Sequence, residues 1–262
     1  MPRFALLLEY DGALFQGWQR QLEAPTVQST LEAALAKLNG APVRVTGASR
    51  TDSGVHARGQ VAHCDLARWG SALELRKALN ALVGEGLAVL QAWAVAPTFD
   101  ARRHAVRKLY RYRILNRAAP SPLRRERCWH VRPALDLAAM QAAAAEFLGD
   151  HDFAAFRGAP GGAPVERTAR TLERLDVGRA GDEIELRVAS RSFLRYMVRN
   201  LAGTLVEVGL GKRPASEVAE ILASRDRSRA GRTAPAWGLT LESIEYPPGA
   251  LQGSRGGEAP LA

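Results

Sequence analysis

The chain has 262 residues, 47% hydrophobic and 24% charged, which suits a globular protein with one large or two modest cores. Lys and Arg total 36 against 27 Asp and Glu, and a formal charge of +9 favours a polyanionic partner, most commonly nucleic acid. Two distant cysteines, Cys64 and Cys128, exclude a disulfide framework, and the apolar run in MPRFALLLEYDG is too short for a signal peptide or membrane span, so a cytoplasmic protein is expected.

Residues 3–10 alternate, with Phe4, Leu6, Leu8 and Tyr10 on one face, and predict a strand ending at Asp11-Gly12. Val27, Leu31, Ala34, Leu35 and Leu38 recur at helical spacing after Thr26, a candidate N-cap. Strands are expected near 42–47 and 59–65. Ser71-Ala72-Leu73-Glu74 has the pattern of a capping box opening a helix to about 83, and 87–95 reads as a strand. This β-α-β-β-α-β order is the ferredoxin-like arrangement.

The second half repeats it. A strand at 108–116 precedes a helix from Asp136 to 148, stopped by Gly149. Strands follow at 169–178 and 182–190, with a turn signal at Gly181-Asp182. A helix at 192–209, a short helix near Pro214 and a closing strand at 239–246 complete the chain. The expected fold is α/β (α+β): two ferredoxin-like halves, 1–104 and 105–246, with a mainly antiparallel sheet and a cleft at their junction. Residues 158–164 read as a flexible insertion, and 247–262, rich in glycine and proline, as a disordered tail.

Charge is concentrated. From Arg102 to Arg132 there are eleven Lys and Arg and one acid, Glu126, a run that repels itself unless something neutralises it. Tyr110, Tyr112 and Trp129 are interleaved, a pattern suited to RNA backbone and splayed bases. No metal is expected: His63 and Cys64 are adjacent on a strand and leave opposite faces, and His56, His104, His130 and His151 lack ligand spacing.

Arg50-Thr51-Asp52-Ser53-Gly54-Val55-His56 sits between two strand-like runs. A carboxylate beside a guanidinium stays ionised and oriented, so Asp52 can serve as nucleophile or electrostatic anchor. Gly54 permits a tight turn or the close approach of a substrate. The plainer alternative is an Arg–Asp pair bracing a hairpin. On the strand expected at 108–116, Tyr110 and Tyr112 share a face, and the residues alone do not choose between core filling and a cleft role for either.

The segment GASRTDSGVHARGQVAH closely resembles the signature of the tRNA pseudouridine synthase A (TruA-type) family, in which the loop aspartate is the nucleophile. Ser49 stands where the family usually has glycine. Tyr10-Asp11-Gly12 with Gly17-Trp18-Gln19-Arg20-Gln21 resembles the family's opening, and Phe99-Asp100-Ala101-Arg102 with Lys108-Leu109-Tyr110-Arg111-Tyr112 its second motif. His151-Asp152-Phe153 through Phe156-Arg157, then Phe193 to Asn200, then Thr233-Ala234-Pro235-Ala236 with Gly238-Leu239 follow in the family's order.

The resemblance implies isomerisation of uridine to pseudouridine at tRNA anticodon-arm positions 38, 39 and 40, without a cofactor, by a homodimer. It implies Asp52 as nucleophile and favours Tyr110 over Tyr112 as the active-site tyrosine. Tyr110 would stack on the uracil and take its C5 proton. Three arginines compete to pair with Asp52. Arg199 is preferred, with Arg50 and Arg102 holding RNA nearby, while Arg58 and Arg111 are candidate phosphate contacts, as are Arg107, Lys108 and Arg113. Two rivals remain: a non-catalytic RNA-binding protein of the same fold, and a hydrolase pairing Asp52 with Asp11 or Asp100.

Overall fold

Alternation decides the first strand. In β1 (Arg3–Tyr10), Phe4, Leu6, Leu8 and Tyr10 are all buried. The structure is a computed structural model that describes residues 1–67, 69–158 and 167–251, so most of the expected insertion, and residues 252–262 of the expected tail, lie outside the described residues. By contacts the chain forms two compact units. One comprises residues 1–107 and the segment from Leu241 onward, the other Lys108–Thr240.

In the first unit, α1 (Val27–Asn39) begins at Thr26, whose hydroxyl accepts from the Ser29 amide while the Ser29 hydroxyl accepts from the Thr26 amide. Gly40, left-handed at φ 72, ends it. Strand β2 is only Thr46–Gly47, shorter than the sequence predicts, and β3 spans His56–Asp65. The shortening has a local cause. The Val45 amide and carbonyl bond the Glu32 and Gln28 side chains of α1, at 3.1 and 3.0 Å, instead of extending the ladder. Helix α2 (Ala72–Asn80) starts at Ser71, whose hydroxyl accepts from the Glu74 amide, and β4 spans Leu87–Val95.

β1 is antiparallel to both β3 and β4, giving the order β4-β1-β3, and the short β2 pairs antiparallel with β3 off that path. Around Ala5, Val61, Val95 and Phe99 a core cluster gathers Ile244, Tyr246, Ala250 and Leu251 from the chain's last described residues. Residues 247–251 therefore belong to the packed fold, with the Ala250 amide bonded to the Pro247 carbonyl.

In the second unit, β5 (Arg107–Asn116) pairs in parallel with β6 (Trp129–Val131), a strand too short for the sequence pattern to reveal. Helix α3 (Leu137–Ala145) is capped by Asp136, whose carboxylate accepts from the Ala139 amide. The strand predicted at 169–178 is two strands. β7 (Gly149–Asp152) and β8 (Ala169–Leu172) form a separate antiparallel pair, while β9 (Arg174–Ala180) joins β10 (Glu183–Ser190), which also pairs with β5. The break falls at Glu173, whose amide bonds the Ala189 carbonyl.

Helix α4 (Met197–Gly209) starts five residues later than the 192 that its apolar pattern predicts. Tyr196 before it is left-handed at φ 62, and a helix cannot be extended through that conformation. α5 (Glu217–Ser224) follows, and β11 (Leu239–Glu245) closes the chain beside β3. There the Gly59 position lies so close to the Glu242 carbonyl that an added Cβ would stand 2.4 Å from it. The whole is a mixed α/β protein with a mainly antiparallel sheet.

Candidate functional site

The Asp52 loop is shaped by close backbone packing. Gly12 and Gly17 lie against it, and a Cβ on Gly12 would stand 2.2 Å from the Val55 carbonyl oxygen. Gly17, left-handed at φ +88, leaves the same little room beside the Thr51 carbonyl, at 2.9 Å. The Val55 amide closes a turn onto the Asp52 carbonyl at 3.1 Å, with Gly54 at φ 79 between them. Trp18 donates its amide to the Thr51 carbonyl at 3.0 Å, and the Gly12 amide reaches His56 Nδ1 at 3.0 Å.

Side chains beneath the loop complete the frame. Tyr10 Oη and Thr51 Oγ1 share a hydrogen bond of 2.8 Å, and Gln60 Nε2 donates to Tyr10 Oη at 3.3 Å. Gln60 also pairs both ways with Ser49, its amide oxygen accepting from the Ser49 N–H and its Nε2 donating to the Ser49 carbonyl. Burial pushes the Tyr10 phenol up to about 12, so this support stays neutral at ordinary pH. Asp52 itself is half-buried, held on a rigid loop within reach of solvent.

The other first-unit candidates are placed as follows. Arg50 is exposed in the same loop. Arg58 lies 3.7 Å from Glu242, a loose pair on an exposed side chain. Arg102 is exposed, and its amide, with that of Arg103, caps the Asp100 carboxylate at 2.8 Å. Those two amides offset the desolvation that Asp100 suffers and draw its carboxyl below the usual range. Asp100 is therefore a local turn-former, which weakens its claim to be a second catalytic acid.

Tyr110, Arg111 and Arg199 belong to the second unit. Tyr110 is buried, edge-on to Phe193 with centroids 5.2 Å apart. Tyr112 is committed to structure: its phenol donates to the Pro235 carbonyl at 2.9 Å, and burial raises it well above its ordinary value. Arg111 meets Glu185 at 3.2 Å, and Arg113 makes two 3.0 Å bonds to Glu183. The acids of β10 thus neutralise part of the basic run.

Arg199 Nε donates to the Ala234 carbonyl at 2.7 Å, and the Ala234 amide returns a bond to the Arg199 carbonyl. Its guanidinium lies 5.0 Å from the centre of the Tyr196 ring, which Arg195 also covers at 4.7 Å. Asn200, fully buried, fixes the same segment. Its Nδ2 donates to the Phe156 carbonyl, while its Oδ1 accepts from Arg227 and Thr233. Gly203 lets the Arg232 carbonyl approach so closely that an added Cβ would stand 1.7 Å away. Tyr196 and Asn200 stand inside a motif the sequence displays, but no periodicity marks a left-handed tyrosine or a buried amide hub.

Cys64 and Cys128 are free and buried, with thiols pushed by burial up to about 12 and about 11, so neither is a nucleophile at neutral pH. Among the described residues no group of three or more His, Cys, Asp or Glu is arranged to hold a metal ion, and no helix is long and apolar enough to cross a membrane.

The sequence matches the family described as tRNA pseudouridine synthase over residues 7–102 and 143–247, ranges that include the Asp52 loop and α4. A tRNA pseudouridine synthase A of Methylobacterium sp. (strain 4-46) is 52% identical over 248 residues, covering 94% of this chain and 98% of that protein. Another, from Myxococcus xanthus, is 50% identical over 258 residues, covering 98% and 97%. Likeness of that degree runs through both units, and the chain belongs to the tRNA pseudouridine synthase family.

Proposed function

We propose that this protein isomerises uridine to pseudouridine in the anticodon arm of tRNA, at positions 38, 39 and 40, with Asp52 as the nucleophile. The observation that carries this reading is the Asp52 loop. A half-buried carboxylate rides on a turn locked by Gly12, Gly17 and a neutral Tyr10–Thr51–Gln60 network, in a chain of this family. Such preorganisation holds a nucleophile in place before substrate binds.

The reaction balances without a redox step. The bond from ribose C1′ to N1 breaks, the uracil turns, and a bond forms from C1′ to C5. C5 loses its proton and N1 gains one. A carboxylate suits this because it can attack and then leave unchanged. Tyr110 supplies an aromatic face and a phenol for the C5 proton, and Arg199 a fixed positive charge. Arg50 and Arg102 contact RNA near the target, with Arg58 and Arg111 as weaker phosphate contacts given their acidic neighbours. Action as a homodimer belongs to the same reading and rests on the family resemblance, and action in the cytoplasm rests on the sequence pattern of the first strand region.

Purified protein incubated with an unmodified tRNA transcript and no added cofactor should produce pseudouridine. Binding without conversion would support the RNA-binding alternative, and release of free uracil a hydrolase. Asp52→Asn should lose turnover by ~10³-fold or more while tRNA affinity stays within about three-fold. Preserved turnover in that variant would reject the nucleophile assignment.

A further inference from the structure

The second unit contains a cavity of about 430 Å³ to which the mechanism above gives no task. Its wall combines Arg124, Arg125 and Trp129 from the segment after β5 with Arg232, Thr233 and Trp237 from the segment before β11. The volume falls within the range of sites that hold one small ligand, roughly 300–1,000 Å³.

Two aromatic rings are fixed there. Trp237 is 42% exposed, yet its indole N–H donates to the Cys128 carbonyl at 3.2 Å, so the ring is held at the surface in one orientation. Trp129 is buried beneath Arg232, whose guanidinium lies 4.6 Å from the ring centre. The cations differ in commitment. Arg124 bonds Asp182 and Glu183 at 2.9 and 3.0 Å, so its charge is largely spent. Arg125 has a side chain 76% exposed and only a loose 3.7 Å approach to Glu126. The acids behind the cavity are already matched: Asp182 to Arg117 and Arg124, Glu183 to Arg113 and Arg124.

An exposed, oriented indole beside two available guanidinium groups matches the chemistry of a single-stranded nucleotide. Any base can stack on an indole, and a phosphate suits the arginine fork. We infer that this cavity takes one unpaired nucleotide of the RNA substrate, distinct from the target uridine, with its base on Trp237 and its phosphate between Arg125 and Arg232. The inference deepens the proposed function and rests on it. The cavity's back wall also connects to the reaction side. Thr233 bonds Asn200, and Ala234 next to it bonds Arg199, so a nucleotide seated here would brace the segment that holds Arg199.

The test measures affinity for an unmodified tRNA transcript by anisotropy, with steady-state kinetics alongside. Trp237→Ala should raise Kd and KM by about ten-fold, with kcat at saturating tRNA changed by no more than about two-fold. Trp237→Phe keeps a stacking face and should restore most of the affinity. The double variant Arg125→Ala/Arg232→Ala removes both guanidinium groups, and its Tm is measured alongside because Arg232 covers the Trp129 ring. It should weaken binding about ten-fold at low salt and flatten the dependence of log Kd on log salt. A Kd within two-fold of wild type for the arginine variant, or for a Trp237→Ala protein whose Tm is unchanged, would overturn the inference. So would Trp237→Ala altering the sedimentation of the protein alone, because the surface would then belong to a second copy of the chain. Failure here is separable from failure above. A wild type that converts tRNA beside variants that bind like it sinks only this site, whereas a wild type that binds without converting sinks the catalytic reading.

Discussion

The Asp52 loop and the turn that leads into α4 both present candidate functional side chains, but they are held by opposite means. Neutral groups and close glycine packing support the Asp52 loop: Gly12 and Gly17 against its backbone, Tyr10, Thr51 and Gln60 beneath it. The α4 turn depends on cations and strain. Tyr196 is left-handed at φ 62, a conformation costing roughly 1–2 kcal/mol for a non-glycine residue, and Arg195 and Arg199 both lie over its ring. The neutral supports add no formal charge of their own beside Asp52. A frame built from guanidinium groups instead adds positive charge to the local field.

The harshest way to break the comparison is to refill the close approaches. Gly203→Ala would set a Cβ 1.7 Å from the Arg232 carbonyl, and Gly12→Ala one 2.2 Å from that of Val55. Each should cost about 3 kcal/mol in denaturant unfolding, Gly203→Ala more than Gly12→Ala, since backbone has to move in both. Equal stability to wild type in either would show that the close packing is not required.

Tyrosine substitutions sharpen the contrast between reaction and scaffold. Tyr110→Phe should slow pseudouridine formation by ~10²-fold with tRNA affinity retained, if its phenol takes the C5 proton. Tyr112→Phe should instead lower Tm with little change in rate, because its phenol serves the Pro235 carbonyl. The reverse pattern would exchange their roles.

Smaller effects separate the two frames. Asn200→Ala strands Arg227 and Thr233 and should cost about 3 kcal/mol at most, while Gln60→Ala, which strands only neutral partners, should cost about 2 kcal/mol. Alkali gives the mildest test. Tyr10 is raised from 10.0 to about 12, so its contribution is complete below pH 10.0 and is lost as pH climbs towards 12. Tyr112 and Tyr246 shift the same way, both through burial. Stability should therefore fall above about pH 10, and Tyr10→Phe should reduce that slope. An unchanged slope would mean that Tyr10 titrates freely.

The sequence displays much of this because its strongest signals are local. Alternation in β1 and the helical spacing after Thr26 each follow from a few neighbouring residues, and β1 and α1 form where those patterns lie. The run of motifs from Tyr10 to Leu239 likewise carries the family. Failures occur where distant residues intervene. Two α1 side chains take the Val45 backbone out of β2, and the Ala189 carbonyl interrupts what reads as one strand at Glu173.

By itself the sequence determined the order of most elements, the basic character of 102–132 and the presence of an Arg50-Thr51-Asp52 loop between strands. Only the tertiary structure decided that the segment from Leu241 packs with the first unit, that Glu183 and Glu185 neutralise part of the basic run, and that Gly12 and Gly17 clasp the Asp52 turn. The reason is physical. Periodicity and capping are set by residues a few positions apart, whereas pairing partners, charge compensation and backbone approach depend on which distant segments the core brings together.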